Sequence, residues 1–310
     1  MKTYKLKPIY KSFVWGGEKL IEKYHLDPNL KNIGTIYFVI ATNDLDNIVE
    51  ETGQPLSKFY EAHKELFGID EKIFPVRMTV TCNDSYQSYQ IHPTDEYALK
   101  HEGTKGKVSG SVALFVKENS PVRIMRFGNK CKSLDEFKEL VNKEDWDNLF
   151  NVIERPAGAF LHTPAGVIHG GKGNGEIGAT WGTNGDITYR FYDFNRHNTN
   201  RSLDLEKCYE TVNIPEIDLP KPFTPIPVCK DGIELYEYYD KPKEYTAKRI
   251  KVNGEGEYEN PLFMFYACVD GEGEISGTSI KAGECVFVPC NSGPVEFNGK
   301  MDLILLSYRG

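Results

Sequence analysis

Hydrophobic residues along this chain fall mostly in short runs of β-branched and aromatic side chains, broken by glycine, proline and asparagine. TIYFVIAT (Thr35–Thr42), FPVRMTVTC (Phe74–Cys82), SYQIH (Ser88–His92), SVALFVK (Ser111–Lys117) and ITYRFYDF (Ile187–Phe194) have this character. Such runs favour strands, and many short strands between turn residues predict a sandwich or barrel. A helical period surfaces in two places. PLSKFYEAHKELFG puts Leu56, Phe59, Tyr60, His63 and Leu66 at helical spacing, with Gly68 as its stop. SLDEFKELVNKEDWDNLF sets Phe137, Leu140, Val141 and Trp146 on one face, and Ser133 with Glu136 has capping-box spacing. The four prolines of PKPFTPIP (Pro220–Pro227) exclude a helix or a central strand there. IELYEYY, PLFMFYACVD and ECVFVPC beyond it read as further strands, and EYTAKRIK as a solvated strand face. The expected division is residues 1–222, carrying the helical insertions, and a smaller β domain over 223–310.

A weak internal repeat refines the fold class. AGAFLHTPAGVIH (Ala157–His169) and AGECVFVPCNSGP (Ala282–Pro294) each open on Ala-Gly, run through a strand and reach a proline seven residues after the first alanine. This corner recurs in double-stranded β-helix barrels, the cupin fold. The chain is therefore expected to be mainly β, with two cupin barrels and helical insertions in the first. The second copy has no histidine, so the chemistry is expected in the first. Trp15-Gly16-Gly17 reads as a tight turn packed by an aromatic, with lining of the pocket as the alternative, and GEGEISG as a hairpin turn.

Composition narrows the class. The chain has 40% hydrophobic and 26% charged residues and a formal net charge of -8, which argues against a nucleic-acid binder. Its seven cysteines include no CxxC pair, so neither a disulfide framework nor a cysteine zinc site is expected. The N-terminus lacks a signal-peptide pattern, and no apolar run approaches the ~20 residues of a membrane span. A soluble cytoplasmic protein is the expectation.

The candidate chemistry lies in SYQIHP and PAGVIHGG. Gln90 and His92 are two apart on a strand and share a face. His169 follows a Pro-x-Gly turn on another barrel segment. A glutamine oxygen and two imidazoles converging in a barrel would suit a divalent metal, zinc before others.

PIYKSFVWGGEKL (Pro8–Leu20), Ile33-Gly34, LSKFYEAHKELFG, SYQIHPTDEYALKHEG, the SLDEF…DWDNLF helix, PAGVIHGGKG and DITYRFYDFNR are spread over the chain as far as about Pro215. In these motifs the chain resembles the short bacterial type I mannose-6-phosphate isomerases. The resemblance implies a zinc-dependent cupin enzyme, with zinc held by a Gln, two His and a Glu. It implies interconversion of mannose 6-phosphate and fructose 6-phosphate through an enediol, with a small sugar phosphate as partner. Carried across, Gln90, His92 and His169 would be metal ligands, Arg190 the active-site arginine and Lys107 a lysine of the pocket. The family's acids are replaced. Ser109 or Gly110 stands for the ligand Glu, Thr180 for a candidate acid/base Glu and Thr35 for a third. Glu176 is the first candidate for a substitute ligand, ahead of Glu102 and Asp186, and His162 is expected to be a packed strand histidine. Two functions stay open: the isomerase, and a non-catalytic or repurposed cupin that binds a sugar or sugar phosphate.

Overall fold

Three antiparallel sheets carry the chain. The structure is a computed structural model and describes residues 1–116, 122–196, 201–259 and 261–310, so Lys117, the end of one expected strand, lies outside the described residues. A six-stranded sheet runs in the order Phe160–Thr163, Ser109–Phe115, Ile177–Thr183, Val76–Cys82, Ile33–Val39, Ile9–Gly17. A five-stranded sheet runs Phe150–Pro156, Val122–Asn129, His169–Lys172, Tyr86–Ile91, Tyr189–Tyr192. The third sheet is built from the strands beyond Val228, joined by Tyr4–Lys7, Ile48–Val49 and Gln54–Pro55 from the other end of the chain.

Period-2 alternation assigns the two faces of the six-stranded sheet. On Val76–Cys82, residues Val76, Met78, Val80 and Cys82 enter the core, while Arg77, Thr79 and Thr81 line a cavity on the other side. On Ile177–Thr183, Ile177, Ala179 and Trp181 enter the core and Thr180 faces the cavity. The core face packs on the third sheet through Phe265, Phe287, Ile304 and Leu306 in one continuous cluster. Trp181 is fully buried there, and its indole N–H donates to the Leu305 carbonyl at 2.8 Å. The cavity face looks toward the five-stranded sheet and is polar.

The predicted helices form, with breaks. Leu56–Ala62 and Lys64–Phe67 are separated at His63, and Gly68 ends the second with a φ of 65°, the left-handed geometry glycine adopts freely. Ser133 caps Leu134–Asn142 by accepting from the Glu136 N–H at 3.2 Å, and Trp146–Leu149 is a separate turn started by Asp145. Phe137 and Val141 cover the outer face of the five-stranded sheet against Phe191, Tyr89 and Ile91. Asp95–Glu102 and Leu205–Thr211 are helices that the sequence pattern did not suggest. Among the described residues, no helix is long and apolar enough to cross a membrane.

Gly158 and Gly283, the glycines of the two repeat copies, both adopt positive φ immediately before short strands, Phe160–Thr163 and Cys285–Val288. The hairpin in GEGEISG turns at Ser276 and Gly277, both at positive φ. Two expectations need correction. Trp15-Gly16-Gly17 is the end of the strand Ile9–Gly17, with the indole against Gly34. EYTAKRIK is not a solvated face, because Tyr245, Thr246 and Ala247 are buried between sheets.

His162 sits at the same seam. Its Nδ1 lies 3.0 Å from the Tyr245 hydroxyl, and the ring stacks on Tyr239 with centroids 4.5 Å apart. Burial pushes His162 down to about 4, against the pull of Glu244. Below the ordinary histidine value of about 6.5, the unfolded chain takes a proton that this folded ring refuses. Stability should therefore fall as pH drops from about 6.5 to 4, by up to ~3 kcal/mol from this residue. Urea unfolding at pH 7.0 and 4.5 checks this: His162→Gln should lose less stability between the two than the native chain. Trp181→Ala should cost about 3–5 kcal/mol at pH 7.0 in the same measurement, because it empties a filled site between sheets.

Candidate active site and metal centre

A cavity of about 470 Å³ lies between the five- and six-stranded sheets. Register builds its reactive row. Phe127, His169, Gln90 and Arg190 are successive Cα partners on four adjacent strands. Side chains paired in this way share a face, and all four line the cavity. His92 follows two residues after Gln90, just beyond the end of its strand, and faces the same space.

Both imidazoles are oriented by the main chain. His169 Nδ1 is 3.0 Å from the Val167 carbonyl, and His92 Nδ1 is 3.0 Å from the Ile187 carbonyl. A carbonyl only accepts, so each Nδ1 carries the proton and each neutral ring keeps its lone pair on Nε2. The ring centroids are 4.8 Å apart. The Gln90 amide lies 3.3 Å from His169 Nε2, and a half-turn about its last bond would present Oε1 instead. Burial pushes His169 down to about 4 against its Val167 hydrogen bond, and Lys107 adds to the fall. Burial, then Lys107, His169 and Arg77, hold His92 well below the ordinary range. Both rings are neutral near pH 7, the state a metal ligand requires.

Cations and one carboxylate occupy the neighbouring level. Asp186 accepts from Arg77 at 2.8 Å, from the Tyr37 hydroxyl at 3.1 Å and from Lys107 at 3.4 Å. Burial lowers Lys107 to about 8 with Arg77 assisting, against the pull of Asp186. Arg190 donates to Asp193 at 3.1 Å and to the Arg201 carbonyl at 2.7 Å, while its Nε is buried without a partner among the described residues. Arg196 grips the same Asp193.

Three of the positions at which the resemblance implies an acid face this space. Ser109, Thr180 and Thr35 line the cavity. Gly110 turns the other way, and a Cβ there would stand 2.1 Å from the Phe160 ring. The structure brings together Gln90, His92 and His169, with Lys107 and Arg190 in the same cavity. Glu176 lines the same cavity but does not join the two histidines in a metal-holding group, and it pairs with Arg123 at 3.6 Å instead. Glu102 instead accepts from Tyr189 at 2.7 Å and Lys207 at 2.6 Å. Among the described residues, no three His, Cys, Asp or Glu side chains converge as a metal-holding group.

Sequence reasoning missed Arg77, Tyr37, Arg123 and Arg155 as cavity residues. Arg77 left a usable signal: a lone cation in the strand run FPVRMTVTC, in phase with Thr79 and Thr81. Arg123 and Arg155 left none, since each sits among ordinary polar alternation.

No protein-family model matches the chain. It is 25% identical over 303 residues to mannose-6-phosphate isomerase of Streptococcus mutans, covering 94% of this chain and 93% of that one. It is 27% identical over 313 residues to a probable mannose-6-phosphate isomerase, GmuF, of Bacillus subtilis, covering 97% of each. The crystal structure of the mannose 6-phosphate isomerase from Bacillus subtilis superposes with a TM-score of 0.88 at 24% identity over 99% of both chains. A zinc-bound mannose 6-phosphate isomerase superposes at 0.74 with 14% identity, over 100% of both chains. Over nearly its whole length the chain is a relative of the short bacterial mannose-6-phosphate isomerases and shares their cupin fold.

Proposed function

We propose that this chain is a metal-dependent aldose–ketose isomerase that interconverts mannose 6-phosphate and fructose 6-phosphate through an enediol. One observation carries the reading: His169, Gln90 and Arg190 stand in register in a polar cavity that also holds His92 and Lys107. The named activity of the relatives supports the substrate.

The donor set fits a divalent ion. Gln90, His92 and His169 offer three neutral donors, and zinc centres with three neutral ligands and one open position are good catalytic sites. A bound Zn²⁺ would draw electron density from the sugar's carbonyl and hydroxyl oxygens. The chain's own residues supply the rest. Lys107, lowered to about 8, populates both its amine and its ammonium near neutrality and can carry a proton between C2 and C1. Asp186 holds it in place. Arg190 is a fixed charge for the enediolate or the phosphate, the kind of preorganised stabilisation that dominates catalysis. Ser109 and Thr180 have no useful acidity near neutrality and take no proton.

A coupled assay on zinc-supplemented protein tests this. The native chain should turn over mannose 6-phosphate, and His169→Ala should abolish turnover. Lys107→Met should lower kcat by about 10²–10⁴-fold, the contribution of a positioned acid or base. Native kcat should climb as pH rises through about 8, where the free amine accumulates, and that climb should vanish in Lys107→Met. Absence of native turnover overturns the reading. Fructose 6-phosphate binding without turnover would leave the chain a sugar-phosphate binder.

A separate metal titration tests the site. Ser109→Glu adds an anionic donor on the cavity face and should raise zinc affinity at least tenfold. No gain would mean that position 109 does not reach the ion.

A further inference from the structure

Arg123 and Arg155 have no role in that mechanism. They are cross-strand partners in register on Val122–Asn129 and Phe150–Pro156, and both line the cavity. Arg123 is four residues from Phe127, the partner of His169, which puts the pair about 13 Å along the sheet from the histidine row. Arg155 is only 7% exposed.

Among the described residues, the two buried guanidiniums share a single carboxylate. Glu176, 3.6 Å from Arg123, is the one carboxylate with which either forms an ion pair among the described residues. The remaining contacts are to neutral carbonyls. Arg155 donates to Ala159 at 3.1 Å and to Ser111 at 2.6 Å, and Arg123 donates to Lys172 at 3.1 Å. Burial lowers both arginines, Arg155 to about 10 with the charge of Arg123 adding to the effect. Like charges directly opposite on adjacent strands repel, and burial sharpens the cost. The imbalance extends to the cavity as a whole, which among the described residues eight lysines and arginines and three carboxylates line, in a chain of net charge -8.

We infer that Arg123 and Arg155 form a second anion subsite, which takes a phosphate group at the end of the cavity away from the histidines. Main-chain carbonyls fix the two guanidiniums, so their remaining N–H donors are preorganised, and phosphate, with its higher charge and several acceptor oxygens, suits two adjacent guanidiniums. The phosphate comes either as the second phosphate of a sugar bisphosphate or as free phosphate bound beside a sugar monophosphate. The inference rests on the sugar-phosphate reading for its ligand, but its test reads binding, so absence of turnover would leave it standing.

Calorimetric titration of the zinc-loaded chain provides the test. The probes are fructose 6-phosphate, fructose 1,6-bisphosphate, and inorganic phosphate with fructose 6-phosphate at saturation. A bisphosphate that binds at least tenfold tighter than the monophosphate identifies one doubly charged ligand. Phosphate binding on top of saturating fructose 6-phosphate identifies the free anion. Either gain should fall about tenfold in Arg123→Gln and should grow in Glu176→Gln, which removes the competing carboxylate. Glu176→Gln keeps the test decisive if the arginine variant folds poorly, because a purely structural Arg123–Glu176 pair predicts no tighter binding. Neither gain in the native chain, or gains indifferent to both substitutions, overturns the inference.

Discussion

One carboxylate sets the charge pattern of the cavity. Arg77 and Lys107 are buried inside a barrel, and without an acid each would carry a desolvation cost of several kcal/mol. Asp186 faces both and also accepts from Tyr37. Burial alone would raise its carboxyl, but Lys107 and Arg77 outweigh that and keep it ionised. Its loop is clamped on each side. Asn184 bonds the Ala41 main chain through both side-chain atoms and donates its N–H to Pro75 at 2.8 Å. The Thr183 hydroxyl donates to Gly106 at 3.2 Å and accepts from Val108 at 3.0 Å, the two residues flanking Lys107. The main chain that carries the acid and the main chain that carries its lysine are thus held together by the same buried threonine.

Much of this was legible in the sequence, for a physical reason. A strand repeats every two residues, so Gln90 and His92 had to share a face, and Ser133 with Glu136 had to open a helix. Residues far apart in sequence became neighbours only through register. Nothing local says that Arg190 pairs with Gln90 rather than with a residue two positions away, so the resemblance alone pointed to Arg190. The helix Asp95–Glu102 was missed because it has no apolar face and buries only Ala98. It is held by its ends, where Thr94 accepts from Tyr97 and Gly103 turns left-handed. Glu176 was attractive as a ligand because a glycine-rich loop can bend. Its proximity to Arg123 could not be read without knowing which strands adjoin.

Charge also connects positions 109 and 180 with the lysine. Carboxylates at positions 109 and 180 would face the same cavity as Lys107 and Arg77. They would offset part of the positive field there and pull the lysine back toward its ordinary value. With serine and threonine in those places, Asp186 is the carboxylate that opposes burial and Arg77 at Lys107. Under the proposed reaction, hydroxyls at these positions therefore carry no proton themselves while favouring the lysine as the carrier. The same positive field suits an enediolate and a phosphate, the two charges such a substrate presents. It works against a divalent ion, which must enter beside Lys107 with only neutral donors to receive it. Under the proposed reaction, the cavity's positive field favours the anionic ligand. A metal would gain from that ligand's arrival, since a sugar phosphate would bring negative charge beside the neutral donors Gln90, His92 and His169.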